Sequence, residues 1–202
     1  MVTNKQHRYK DDVFDRIWYS QLFNNNWARL STSLHNDDLL QNNFEPPAIV
    51  MSSALTPVNA GDPLELQWNA GNGNDQYYLY MYFNEVENLA PNETRAFNIT
   101  VNDEFWYGPV IPIYRKVKTI FSTTPLTGGR SYLVSLSKIE KSTLPPILNA
   151  FEVYKVKDFS QPETEQDDGK QALQFIYLKN MLPRFLNIAS YLYIFICVNY
   201  LF

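Results

Sequence analysis

The sequence predicts an all-β domain built as an antiparallel two-sheet β-sandwich. Three observations carry this expectation. Apolar and polar residues alternate at period two in several short runs, Gly, Pro and Asn punctuate those runs, and no 3.6-residue periodicity occurs before residue 170.

Taken in order, 11–18 mixes charged and apolar residues without a period, and 21–27, with asparagines at 24, 25 and 26, reads as a loop. Ala48–Ser52 favours a strand after Pro46-Pro47. Leu64, Leu66 and Trp68 alternate onto one face, and the Asn/Gly-rich stretch 69–75 is a turn. Gln76–Val86 is the longest strand candidate. It places Tyr77, Leu79, Met81 and Phe83 on one face and Tyr78, Tyr80 and Tyr82 on the other, so both faces need a cover. Ala96–Asn102 turns Phe97, Ile99 and Val101 inward and Asn98 and Thr100 outward. Further strands are expected at Val117–Ser122, Tyr132–Lys138 and Ala150–Val156.

The acidic, proline-bearing run 161–168 reads as a domain edge, so the folded unit is expected to end near Phe159 within a domain 1–168. Residues 169–202 form a tail of different character. Lys170–Met181 fits a helix, and Phe185–Phe202 holds 18 residues without a charge, the lower limit for a membrane-spanning helix. The N-terminus is polar and basic with no apolar stretch behind it, which is not the pattern of a secretory leader.

Composition narrows the chemistry. With 21 acidic against 17 basic residues and a net charge of −4, the chain lacks the basic footprint of a nucleic-acid binder. Its two histidines, His7 and His35, and its single cysteine, Cys197, stand in no metal-binding spacing, and no Gly-rich phosphate loop occurs. No cofactor, metal or enzymatic activity is expected.

Several ordered segments carry a family resemblance: Asp11-Asp-Val-Phe-Asp-Arg-Ile-Trp18, Asn74-Asp-Gln-Tyr-Tyr-Leu-Tyr-Met-Tyr-Phe-Asn-Glu85, Asn92-Glu-Thr-Arg-Ala-Phe-Asn98, Trp106-Tyr-Gly-Pro109 and Leu144-Pro-Pro-Ile-Leu-Asn-Ala-Phe-Glu152. From about Arg8 to Asp168 the chain resembles the malectin-like extracellular region of plant leucine-rich-repeat receptor-like kinases. The resemblance implies a jelly-roll-type carbohydrate-binding sandwich, since malectin itself is an endoplasmic-reticulum lectin for glucosylated glycans. It also implies a place outside the cell or at a membrane. No kinase Gly-rich loop, catalytic loop or leucine-rich repeat accompanies it, so kinase activity is not carried over.

Sugar recognition needs flat aromatic faces beside groups that grip paired hydroxyls. Trp27, Asp75, Trp106 and Tyr107 are the ligand-binding candidates on those grounds, with core packing as the competing role of each aromatic. Glu85 and Glu87 could form a glycosidase pair, but a solvated strand end is the simpler expectation. Asn92-Glu-Thr94 and Asn98-Ile-Thr100 are N-glycosylation acceptors if the chain is secreted. The partner expected is a carbohydrate or, alternatively, a peptide or co-receptor bound after loss of sugar binding, with membrane association through 185–202.

Overall fold

The structure, a computed structural model, describes residues 5–20, 26–33, 42–156 and 195–201. In chain order its strands are β1 (Lys5–Arg8), β2 (Ile17–Ser20), β3 (Trp27–Ser31), β4 (Ser53–Pro57), β5 (Leu64–Asn69), β6 (Tyr77–Phe83), β7 (Phe97–Val101), β8 (Glu104–Val110), β9 (Lys118–Phe121), β10 (Ser131–Lys138), β11 (Ala150–Val156) and β12 (Phe195–Leu201). A single helical turn, α1 (Ala48–Met51), precedes β4.

Two sheets face each other. One runs β5-β10-β7-β8 and is antiparallel throughout; the other runs β1-β2-β12-β11-β6-β9, with β12 parallel to β11. A separate β3–β4 ribbon is bridged from Leu55 to Leu148, in the segment just before β11. The period-two runs decide what lies between the sheets. Leu64, Leu66 and Trp68 from β5, Leu79, Met81 and Phe83 from β6, and Phe97, Ile99 and Val101 from β7 are all buried in one apolar cluster. Each large side chain there contributes roughly 1.5–3 kcal/mol through removal from water.

The second face of β6 is also covered, as its tyrosines required. Trp18, Val50, Met51, Tyr82 and Ala150 form a smaller buried cluster, with Tyr9, Phe44, Tyr80 and Val117 packed on its rim. Its cover comes from the irregular segment before β2 and from the turn around α1.

Three local expectations are corrected. Within 11–18 the last residues enter β2, and Trp27 begins β3 instead of closing a loop, because each strand gains a partner that local sequence does not display. Ala48–Ser52 is not extended but makes one helical turn: the N–H groups of Val50 and Met51 donate to the Pro47 carbonyl and that of Ser52 to the Ala48 carbonyl. The side-chain amides of Asn84 and Asn149 then donate to the Met51 carbonyl, so tertiary partners override β-branched propensity. In the tail, Phe195–Leu201 is a strand, not a continuing helix. The helix expected at 170–181 and the boundary expected between 159 and 168 lie outside the described residues.

Candidate ligand-binding site

The turn from β7 to β8 is a two-residue hairpin. Asn102 and Asp103 both take left-handed backbone conformations, at φ 50° and 66°, which matches the twist of the flanking strands. β8 is the outer strand of its sheet, and its register against β7 shifts twice, between Phe97 and Ile99 and again before Thr100. Gly108 sits in that irregular stretch at φ 157°. A Cβ there would lie 2.2 Å from the Asn98 Oδ1 and 3.0 Å from the Asn98 Cα, so only glycine fits.

This geometry presents the aromatic dipeptide before Gly108. Trp106 is half-buried against the main core, whereas Tyr107 is 39% exposed. Lys118, on the outer strand of the opposite sheet, sets its ammonium 5.5 Å from the centre of the Tyr107 ring. The edges of the two sheets therefore meet at one place. Phe105, at 65% exposure, precedes them on β8, and Tyr114, at 43%, follows in the connection to β9. Chemically the edge offers ring faces for the C–H side of a sugar or an apolar side chain, plus a cation that donates to hydroxyls.

Trp106 and Tyr107 are thus brought together at an accessible edge. The other two candidates are committed elsewhere. Trp27 is 9% exposed within the main core, where its bulk fills space under β3. Asp75 organises its own loop: Oδ1 pairs with the Lys155 ammonium at 2.9 Å, while Oδ2 accepts from the Asn72 N–H at 2.9 Å and the Tyr77 hydroxyl at 3.3 Å. Burial alone would raise the Asp75 carboxyl, but these donors outweigh it and hold the group below its ordinary value. Burial pushes the Tyr77 hydroxyl up to about 12, with Asp75 adding to the rise against the Gly71 N–H.

The acidic pair is not a solvated strand end at Glu85, which is buried. Arg95 binds Glu85 through Nε and Glu87 through Nη2, each at 2.7 Å, and donates to the Pro145 carbonyl through Nη1 at 2.6 Å. Glu85 accepts further bonds from the N–H groups of Val86 and Glu87. Both carboxylates are occupied in holding the loop that leads into β7.

A second buried ionic cluster lies under the segment before β2. Arg16 donates to both Asp12 oxygens through Nε, to Glu152 through Nη1 at 2.9 Å, and to the Glu45 carbonyl through Nη2. Glu152 also accepts from the hydroxyls of Tyr82 and Tyr154. One guanidinium faces two carboxylates, so a negative charge is left in excess. Burial accordingly raises the Glu152 carboxyl above its ordinary value despite Arg16 and the two hydroxyls, while Arg16, held by Asp12 against the same burial, stays charged. Sequence reasoning missed this cluster; the only signal in the Asp11–Trp18 segment was the i,i+4 spacing of Asp12 and Arg16, which its other acidic residues, Asp11 and Asp15, obscure.

Asn92 lies in an exposed turn. Asn98 stands on the outer side of β7, half-buried, opposite the inward Phe97 and Ile99.

The combination of a two-sheet sandwich, occupied buried carboxylates and an aromatic edge defines a β-sandwich module. The chain belongs to the malectin-like domain family, whose model matches residues 1–156. It is 42% identical over 163 residues to the probable LRR receptor-like serine/threonine-protein kinase At5g59680 of Arabidopsis thaliana, covering 80% of this chain. It is 40% identical over 169 residues to the probable LRR receptor-like kinase PAM74 from the same plant, again over 80% of this chain. In both cases only 18% of the relative is covered, so the chain spans about a fifth of their length.

Among solved structures, the plant receptor-like kinase FER matches with a TM-score of 0.57 at 16% identity, over 74% of this chain and 46% of that one. The ANX2 ectodomain from Arabidopsis thaliana matches at 0.55 and 16%, over 72% and 46%. These likenesses establish the fold. Among the described residues no helix is long and apolar enough to cross a membrane.

Proposed function

We propose that the chain is a non-catalytic ligand-binding module of receptor-ectodomain type, and that its ligand is a carbohydrate, either a glycan or a cell-wall saccharide. The observation that carries this reading is the edge where Tyr107, with Lys118 over its ring, stands exposed above the half-buried Trp106. Ring stacking supplies affinity to a pyranose face, and the neighbouring ammonium supplies a directional donor.

A glycan array on the full chain tests it. Saturable binding to an oligosaccharide is expected, weakened by about tenfold, equal to about 1.4 kcal/mol, in Tyr107→Ala with an unchanged melting temperature. No binding to any oligosaccharide at millimolar concentration would overturn the sugar reading. The peptide alternative draws on Ile111 and Ile113, each 57% exposed beside the same edge. Capture of an apolar peptide that is lost on changing both isoleucines to serine would favour it.

The likeness to receptor ectodomains supports a location outside the cell or at a membrane. Association through 185–202 is read by carbonate extraction of the full chain beside a 1–168 truncation. Retention of the full chain alone in the pellet is the expected result, and release of both would remove the tail from this role.

A further inference from the structure

We propose that Asn98 carries an N-linked glycan that lies on the outer face of the β5-β10-β7-β8 sheet, over β10 and β5. The inference rests on the ectodomain reading above, since the modification needs entry into the secretory pathway. The Asn98-Ile99-Thr100 sequon runs along the central part of the sheet, so Asn98 and Thr100 share its outer side while Ile99 is buried.

The strands on either side make room at that position. Across β10 the residue opposite Asn98 is Ser137, which is exposed, and across β8 the neighbouring position is Gly108, which has no side chain. Both flanks of the Asn98 side chain are therefore low, which a sugar attached at Nδ2 requires. On that outer face the exposed Gln67 of β5 and the half-buried Thr100 of β7 stand where a sugar's hydroxyls would meet hydrogen-bonding partners. The opposite sheet offers no such surface, because the second core covers the outer side of β6.

In the transfer, the Asn98 Nδ2 attacks the anomeric carbon of a lipid-diphosphate-linked oligosaccharide. A C–N bond forms, the sugar–phosphate C–O bond breaks, the lipid diphosphate leaves, and one amide proton passes to a base on the transferase. No oxidation or reduction occurs. The host glycosylation machinery supplies the enzyme and the oligosaccharide donor.

The full chain, expressed in plant cells behind a cleavable secretory leader, is digested after treatment with a glycan-releasing amidase in heavy-oxygen water. The isotope label that converts a glycosylated Asn to Asp marks occupied sites by mass. Labelling of Asn98 in the majority of molecules is expected, together with loss of one glycan's mass in both Asn98→Gln and Thr100→Ala; the second variant keeps the asparagine and removes only the motif. Asn92, in its exposed turn, reports independently that the chain met the transferase. Asn98 unlabelled, whatever the state of Asn92, overturns the proposal. The position of the glycan is read by hydroxyl-radical footprinting before and after its enzymatic removal. Leu133 should gain reactivity on removal; no gain there would overturn the placement of the glycan over β10 and β5. Because the leader enforces secretion, a wrong ectodomain reading would show separately, as failure of the sugar and peptide binding tests.

Discussion

On one face of β6, Leu79, Met81 and Phe83 meet the inward side chains of β5, β7 and β10, whereas on the other Tyr82 shares its surroundings with Arg16, Asp12 and Glu152. The first core is held by area removed from water and tolerates change in proportion to volume lost. The second is smaller and depends on a count of charges: one guanidinium, two carboxylates and two tyrosine hydroxyls must all be present for each to be satisfied. A single strand can thus support two cores that fail in different ways.

The largest effect is expected in the apolar core. Phe97→Ala should cost roughly 3–5 kcal/mol in urea unfolding, the range for an emptied aromatic site, while Asn98→Ala in the unglycosylated chain should stay within about 0.5 kcal/mol. Equal losses would mean that the β7 register is wrong. In the ionic core, Arg16→Met should cost about 3 kcal/mol, because Asp12 and Glu152 are left buried without their cation. Hydrogen exchange should then rise first in β2 and around α1, with β5, β7 and β10 still protected; uniform exchange would merge the two cores into one cooperative unit.

A third test moves to the edge. Gly108→Ala should cost on the order of 1–3 kcal/mol through the clash with Asn98 and an unfavourable backbone conformation, and should shift Trp106 fluorescence. Unaltered stability and emission would show that β8 has slack to absorb a methyl group.

The smallest effect is one of sign. The Glu152 carboxyl is raised on folding, so the native chain holds a proton that the unfolded chain has released in the window between the two values. Its contribution to stability is present at lower pH and is lost as pH rises through the folded value. In Glu152→Gln that part of the pH slope should vanish, and a slope unchanged in size would place its origin elsewhere. Asp75 works in the opposite direction, its contribution being lost as pH falls through its depressed value.

The apolar core was legible because the period-two pattern of Leu64 to Trp68, Tyr77 to Phe83 and Phe97 to Val101 survives in three dimensions as burial. The ionic core was not, since Arg16, Tyr82 and Glu152 come from distant parts of the chain and only their folding together makes them partners. Local propensity misled at Ala48–Ser52 for the same reason: the asparagines that hold its last carbonyl lie at 84 and 149. At the candidate site, the adjacency of Trp106 and Tyr107 could be read directly. The commitment of Asp75 to Lys155 could not, because the pair spans 80 positions, the difference between 155 and 75.

β11 is a central strand of its sheet, between β6 and β12, and ends at Val156. Its antiparallel hydrogen bonds to β6 lie across the strand axis, so a pull applied at Val156 along that axis would load the six residue pairs between the two strands together instead of peeling them singly. Along that direction the arrangement resists mechanical tension by shear. The same pull would strain the Asp75–Lys155 clasp near the strand's end first, making that ion pair the point at which force applied there reaches the fold.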